Sequence, residues 1–132
     1  MEKATVLIVD DDPDITEAMK VVLEHKNYAV NSAGSVEQAM DSLRKKRPDV
    51  MILDVMMETP HDGFILARQL KQDDRYKDIP ILMLTGVQDK MGIDFESAAG
   101  DETWLPVDGY LAKPVKPDIL LKKLGSLLKK PQ

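Results

Sequence analysis

Val50-Met51-Ile52-Leu53-Asp54 is the stretch that decides the fold, because four consecutive apolar residues end on a single carboxylate. An uninterrupted apolar run of this length indicates a strand buried on both faces. Such strands occur in parallel sheets covered by helices, and those sheets place their ligands at the carboxyl ends of the strands. The sequence therefore predicts an α/β fold with Asp54 at the edge of the core.

Two other apolar runs end on polar side chains in the same way. Residues 5–9 lead into Asp10-Asp11-Asp12, and a fourth strand predicted over residues 79–84 leads into Thr85. Because parallel strands bring their carboxyl ends to one edge of a sheet, we expect these oxygen-bearing side chains to lie near Asp54.

The rest of the chain alternates between strand and helix patterns. Strands are predicted over residues 5–9, 28–33, 50–54, 79–84 and 109–112, and helices begin after Asp12, Ser35 and Asp62 and at Pro117. This alternation predicts a parallel sheet with right-handed crossovers. Residues 86–108 give no clear pattern, because Gly92, Gly100 and Pro106 interrupt any long helical stretch.

Composition narrows the function classes. The chain has 132 residues, a net charge of −5 and no cysteine, which predicts one domain and excludes disulfides and thiol chemistry. No signal peptide precedes the first strand, and no apolar run approaches the roughly 20 residues of a membrane helix. The basic residues 44–47 lack interleaved aromatics and indicate a solvated helix end. We therefore expect a cytoplasmic protein that binds neither membranes nor nucleic acid directly.

The predicted edge cluster has the chemistry of a magnesium site. Asp10, Asp11 and Asp54 carry like charges that repel unless a cation holds them together, and Mg²⁺ prefers carboxylate ligands. No histidine or cysteine is close to them in sequence, which disfavours zinc. Thr85 and Lys113 add a hydroxyl and a cation, so the set matches phosphoryl transfer onto an aspartate.

These residues carry a resemblance to a known family. Val9-Asp10-Asp11, Asp54, Thr85-Gly86 and Tyr110-Leu111-Ala112-Lys113-Pro114 resemble the receiver domain of two-component response regulators. The resemblance covers residues 1–132 and implies a flavodoxin-like, doubly wound (βα)5 fold. In that fold the sheet is parallel, has five strands and follows the order 2-1-3-4-5.

The resemblance also implies a role for each matching residue. Asp54 would be the phosphoacceptor. The ligands of Mg²⁺ would be Asp10, Asp11, Asp54 and the backbone carbonyl of Met56. Thr85 and Lys113 would stabilise the phosphoryl group, Thr85 and Tyr110 would act as the switch, and Pro114 would follow a cis peptide bond.

The partners implied by the resemblance are proteins. The phosphoryl donor would be a sensor histidine kinase or a phosphotransfer protein, and a downstream effector would bind the switched face. That face comprises a helix expected between the fourth and fifth strands, the fifth strand and the last helix, and it would also serve a homodimer. Residues 86–108 exceed the usual family length and predict an insertion on this face. No enzyme activity on a separate substrate is expected.

Two other functions remain open. One is a degenerate receiver that acts only as a constitutive interaction module. The other is a phosphatase that uses Asp10 as its nucleophile, because Asp10-x-Asp12 after an apolar strand resembles the haloacid dehalogenase motif. Pro13-Asp14 departs from that motif, and we interpret Asp12 as a helix cap instead.

Overall fold

The structure is a computed structural model that describes residues 4–54, 62–85, 108–112 and 116–129. Its sheet is parallel and has the strand order β2-β1-β3-β4-β5. The strands are β1 (Thr5–Val9), β2 (Ala29–Ala33), β3 (Val50–Asp54), β4 (Ile81–Thr85) and β5 (Gly109–Ala112). The predicted flavodoxin-like α/β class is confirmed, and the edge positions of β2 and β5 follow from the strand order.

Helices cover both faces of the sheet. They are α1 (Pro13–His25), α2 (Val36–Lys45), α3 (Asp62–Lys71) and α4 (Pro117–Lys129). Side chains alternate between the two faces of a strand. On β1, Val6 and Ile8 therefore pack with buried residues of α1 and α4, whereas Leu7 and Val9 pack with those of α2 and α3. In the described part of the chain, no helix combines the length and the apolar composition needed to cross a membrane.

Strand β4 differs from its prediction. It begins at Ile81 rather than at residue 79, because the Ile79 N–H donates to the Tyr76 carbonyl (3.0 Å) in the preceding turn. Pro80 lies just outside the strand, where its carbonyl accepts from the Met51 N–H (2.9 Å). Thr85 is the last residue of β4 and not the residue after it.

Two smaller predictions also need correction. Strand β2 begins at Ala29, one residue later than predicted. The helical spacing of Ile15, Ala18, Met19, Val22 and Leu23 predicts one inward stripe on α1. Ala18 is exposed instead, whereas Met19 and Leu23 are buried. The apolar stripe of α1 is thus narrower than the helical spacing alone indicated.

The region of the predicted insertion lies outside the described residues except for Asp108, so the insertion and the single-domain assignment of residues 1–132 stay predictions.

Side chains cap the first two helices. The Asp12 carboxylate accepts from the N–H groups of Asp14 (2.9 Å) and Ile15 (3.4 Å), as predicted. The Ser35 hydroxyl accepts from the Gln38 N–H (3.1 Å). Gln38 reaches back to the N–H of Gly34 (2.8 Å) and not to that of Ser35, so this end is a variant of the usual capping box.

The Asp12 cap provides a first prediction. We expect Asp12→Ala to lower the free energy of unfolding by about 1 kcal/mol, because the N–H groups at the start of α1 lose their acceptor. Asp12→Asn keeps an acceptor oxygen and should lose much less. Urea unfolding monitored by circular dichroism measures both variants, and equal losses in the two would contradict the capping role.

Two aspartates fasten the opposite, amino-terminal edge of the sheet. Asp49, just before β3, accepts from the Thr5 N–H (2.7 Å), and its own N–H donates to the Thr5 carbonyl (2.8 Å). Asp108, just before β5, makes the same two contacts with Ile81 (2.8 and 2.9 Å). Sequence analysis missed both residues. The available signal was an aspartate directly before a predicted strand.

Candidate functional site

The strand register brings Asp10 and Asp54 level with each other. β1 and β3 are parallel neighbours, and Val9 pairs with Leu53. Asp10 follows Val9 directly, and Asp54 follows Leu53 as the last residue of β3. The two carboxylates therefore meet at the carboxyl edge of the sheet, where the sequence pattern predicted them.

Asp11 completes a cluster of three carboxylates. One oxygen atom from each of Asp10, Asp11 and Asp54 can be chosen so that all three lie within 4.8 Å of one another. Asp10 and Asp54 are almost completely buried, with 3% and 1% of their surfaces exposed, and Asp11 is exposed. The cluster is thus anchored in the core and open to solvent through one member.

Backbone hydrogen bonds hold Asp10 in this position. Its N–H donates to the Ala33 carbonyl (3.0 Å), which extends the pairing between β1 and β2 by one residue. One of its carboxylate oxygens accepts from the Asp12 N–H (2.9 Å). Asp12 itself is occupied in capping α1. Three consecutive aspartates therefore have three different environments. Asp10 is a buried carboxylate, Asp11 is an exposed carboxylate, and Asp12 caps a helix.

The donor set fits a hard divalent cation. Carboxylate oxygens are the ligands that Mg²⁺ and Ca²⁺ prefer, and a cation offsets the repulsion between close carboxylates. Among the described residues, the clustered groups that could hold a metal ion are Asp10, Asp11 and Asp54, with neither histidine nor cysteine among them. The cluster therefore lacks the nitrogen and sulfur ligands typical of zinc.

The other predicted site residues are only partly within the described residues. Thr85 ends β4 and pairs with Ala112, and Asp54 pairs with Leu84 one residue earlier, so Thr85 reaches the same edge as the cluster. Tyr110 lies in β5 opposite Met83. Met56, Lys113 and Pro114 lie outside the described residues, and their roles stay predictions.

A comparison with known protein families gives a match over most of the chain. The model of the family described as "Response regulator receiver domain" matches residues 6–125. This match includes the three clustered aspartates, all of β3 and all of β1 except Thr5.

Curated proteins and solved structures give related matches. The chain is 36% identical to the phosphate regulon transcriptional regulatory protein PhoB of Pseudomonas aeruginosa, covering 96% of this chain and 52% of PhoB. It is 34% identical to the DNA-binding dual master transcriptional regulator RpaA of Synechocystis sp., covering 95% and 49%. The chain thus spans about half the length of these curated relatives. The chemotaxis response regulator CheY4 of Vibrio cholerae superposes with a TM-score of 0.80 at 31% identity, covering 95% of this chain and 98% of CheY4.

Proposed function

Since the chain belongs to the family of response regulator receiver domains, we propose that it accepts a phosphoryl group on Asp54 from a sensor histidine kinase or a phosphotransfer protein. The observation that carries the proposal is the cluster of Asp10, Asp11 and Asp54 at the carboxyl edge of the sheet. A phosphorylatable carboxylate needs charge compensation beside it, and two further carboxylates provide ligands for a cation.

The proposed reaction is an in-line transfer between two side chains. A carboxylate oxygen of Asp54 attacks phosphorus, a P–O bond forms, and the P–N bond of the donor phosphohistidine breaks with its electron pair on the imidazole nitrogen. Asp10, Asp11, Asp54 and the Met56 carbonyl would hold Mg²⁺, which when bound would neutralise charge on the phosphoryl oxygens. Thr85 and Lys113 would donate hydrogen bonds to those oxygens.

The product of this reaction is a signal. Phosphorylation would move Thr85 and Tyr110 and change the face around β5, and a protein effector or a second copy of the chain would bind there. The relative RpaA, about twice as long, is described as a DNA-binding regulator, but for this chain we propose protein partners and a cytoplasmic location. We propose no turnover of a separate substrate.

The contacts of Asp12 favour the receiver over the phosphatase. A phosphatase built on Asp10-x-Asp12 needs the second carboxylate at the reacting phosphate. Asp12 instead accepts two hydrogen bonds from the first turn of α1. The degenerate receiver is disfavoured by the cluster itself, because all three carboxylates are present and close together.

Incubation with acetyl phosphate tests the proposal. We expect the intact mass of the protein to rise by one phosphoryl group in the presence of Mg²⁺ and to stay unchanged when EDTA is added. The adduct should be lost in hydroxylamine, because an acyl phosphate is cleaved by that nucleophile. A protein that gains no mass at any Mg²⁺ concentration would support the constitutive interaction module instead.

A further inference from the structure

Strand β5 is held less firmly by the sheet than the strands that carry the aspartate cluster. It is four residues long, and among the strands that the structure describes it lies at the edge of the sheet and pairs with β4 alone. β3, in contrast, pairs with β1 on one side and with β4 on the other. A central strand has two ladders of hydrogen bonds to fix its register, whereas an edge strand has one.

Asp108 provides a second constraint on β5. Its carboxylate accepts from the Ile81 N–H, and its own N–H donates to the Ile81 carbonyl, so it ties the residue before β5 to the first residue of β4. The same carboxylate oxygen accepts from the ammonium group of Lys71 (3.0 Å). Hydrogen bonds to charged groups are shorter and stronger than neutral ones. The contacts of the Asp108 carboxylate are therefore stronger than a backbone–backbone hydrogen bond alone.

Lys71 extends the tie to α3 and to the connection that follows it. Its ammonium group also donates to the carbonyls of Lys77 (3.2 Å) and Ile79 (2.9 Å), so all three N–H donors have acceptors. The side chains of Lys71 and Asp108 are 21% and 33% exposed, so solvent screens their interaction in part. Hydrogen bonds of Asp108 thus connect the start of β5 both to β4 and to the end of α3.

We propose that Asp108, supported by Lys71, is a positioning residue that fixes the register of β5 and through it the residues that β5 delivers to the phosphoryl site. The register pairs Ala112 with Thr85 at the carboxyl edge, and Lys113 is the next residue in the chain. Tyr110 lies within the same strand. The expected effect of Asp108 on phosphorylation rests on the proposed function. The expected effect of Asp108 on the position of β5 does not.

The test compares Asp108→Ala with Asp49→Ala. Both substitutions remove a carboxylate that accepts from the first N–H of a neighbouring strand, but Asp49 acts on the centrally held β3. We expect Asp108→Ala to slow phosphorylation by saturating acetyl phosphate about tenfold, because misplacement of a reacting group by about 1 Å costs up to about a hundredfold. Asp49→Ala should leave that rate within twofold of wild type. All proteins are assayed below the onset of thermal unfolding.

Two further variants separate positioning from a general loss of stability. Asp108→Asn keeps an acceptor for the Ile81 N–H and should recover most of the rate, and Lys71→Met should fall between wild type and Asp108→Ala. Mg²⁺ binding should be unchanged in all of them, because the cluster lies on β1 and β3. A wild-type rate in Asp108→Ala, or an equal loss in Asp49→Ala, would overturn the proposal.

Hydrogen exchange gives a readout that does not depend on phosphorylation. In Asp108→Ala, the amides of residues 110–112 should exchange faster, whereas those of β1 and β3 should keep their protection. Unchanged protection in β5 would overturn the positioning role even if phosphorylation were slower. A wild-type chain that gains no phosphoryl group would contradict the proposed function, and hydrogen exchange would still decide whether Asp108 holds β5.

Discussion

Asp54→Asn is expected to abolish phosphorylation by acetyl phosphate, with no mass adduct at Mg²⁺ concentrations that fully modify the wild type. The substitution keeps the size of a side chain that is 1% exposed, so the core around it needs no rearrangement. The amide, however, has no anionic oxygen to attack phosphorus, and the cluster loses one of its three carboxylate ligands. Intact-mass measurement of both proteins under identical conditions checks this.

A neighbouring aspartate gives the matched control. Asp14 lies in the first turn of α1, is exposed and is not one of the clustered carboxylates. Asp14→Asn removes the same charge close to the site and should be phosphorylated as fast as the wild type. An adduct that persists in Asp54→Asn would show another nucleophile. If it then disappeared in the double variant with Asp10→Asn, the phosphatase-like assignment to Asp10 would replace the present one.

The sequence was sufficient to predict the sheet and the cluster because both depend on local patterns. Three buried strands are visible in the sequence as apolar runs, and a parallel sheet places the carboxyl ends of adjacent strands at the same edge. Asp10 and Asp54 could therefore be brought together without any knowledge of distances. That Asp10 and Asp54 are nearly buried while Asp11 is exposed was not predicted, because Asp10 and Asp11 follow the end of β1 and the strand pattern does not determine their burial.

The missed features depend on hydrogen bonds that the apolar pattern does not show. The apolar character of Ile79 and Pro80 matched a strand, but the Ile79 N–H donates to the Tyr76 carbonyl in a local turn. Asp49 lies 44 residues from Thr5, and Asp108 lies 27 residues from Ile81, so no local pattern links the partners. The Met56 carbonyl ligand and the cis peptide bond before Pro114 came from the family resemblance and not from periodicity or spacing.

Asp10→Asn is expected to change stability in opposite directions with and without Mg²⁺. Without the metal, the cluster brings three carboxylate oxygens within 4.8 Å of one another. The cation predicted beside them, Lys113, would neutralise one of these charges, so the cluster would stay negative. Removing one charge should therefore stabilise the metal-free protein by about 1–3 kcal/mol. This is the repulsion expected between two neighbouring carboxylates when the effective dielectric constant lies between that of water and that near a protein surface. The amide oxygen can still accept from the Asp12 N–H, so the local backbone is retained.

With Mg²⁺ the order should reverse, because only the wild type keeps all three carboxylate ligands. A ligand at a thousandfold its dissociation constant stabilises the native state by about 4.1 kcal/mol, which exceeds the stabilisation expected for metal-free Asp10→Asn and corresponds to a Tm increase of roughly 15 °C in a domain of this size. Thermal unfolding at neutral pH, titrated with Mg²⁺, measures both effects, and Asp14→Asn should follow the wild type throughout. Equal melting temperatures for the wild type with and without millimolar Mg²⁺ would mean that the three carboxylates are not a magnesium site.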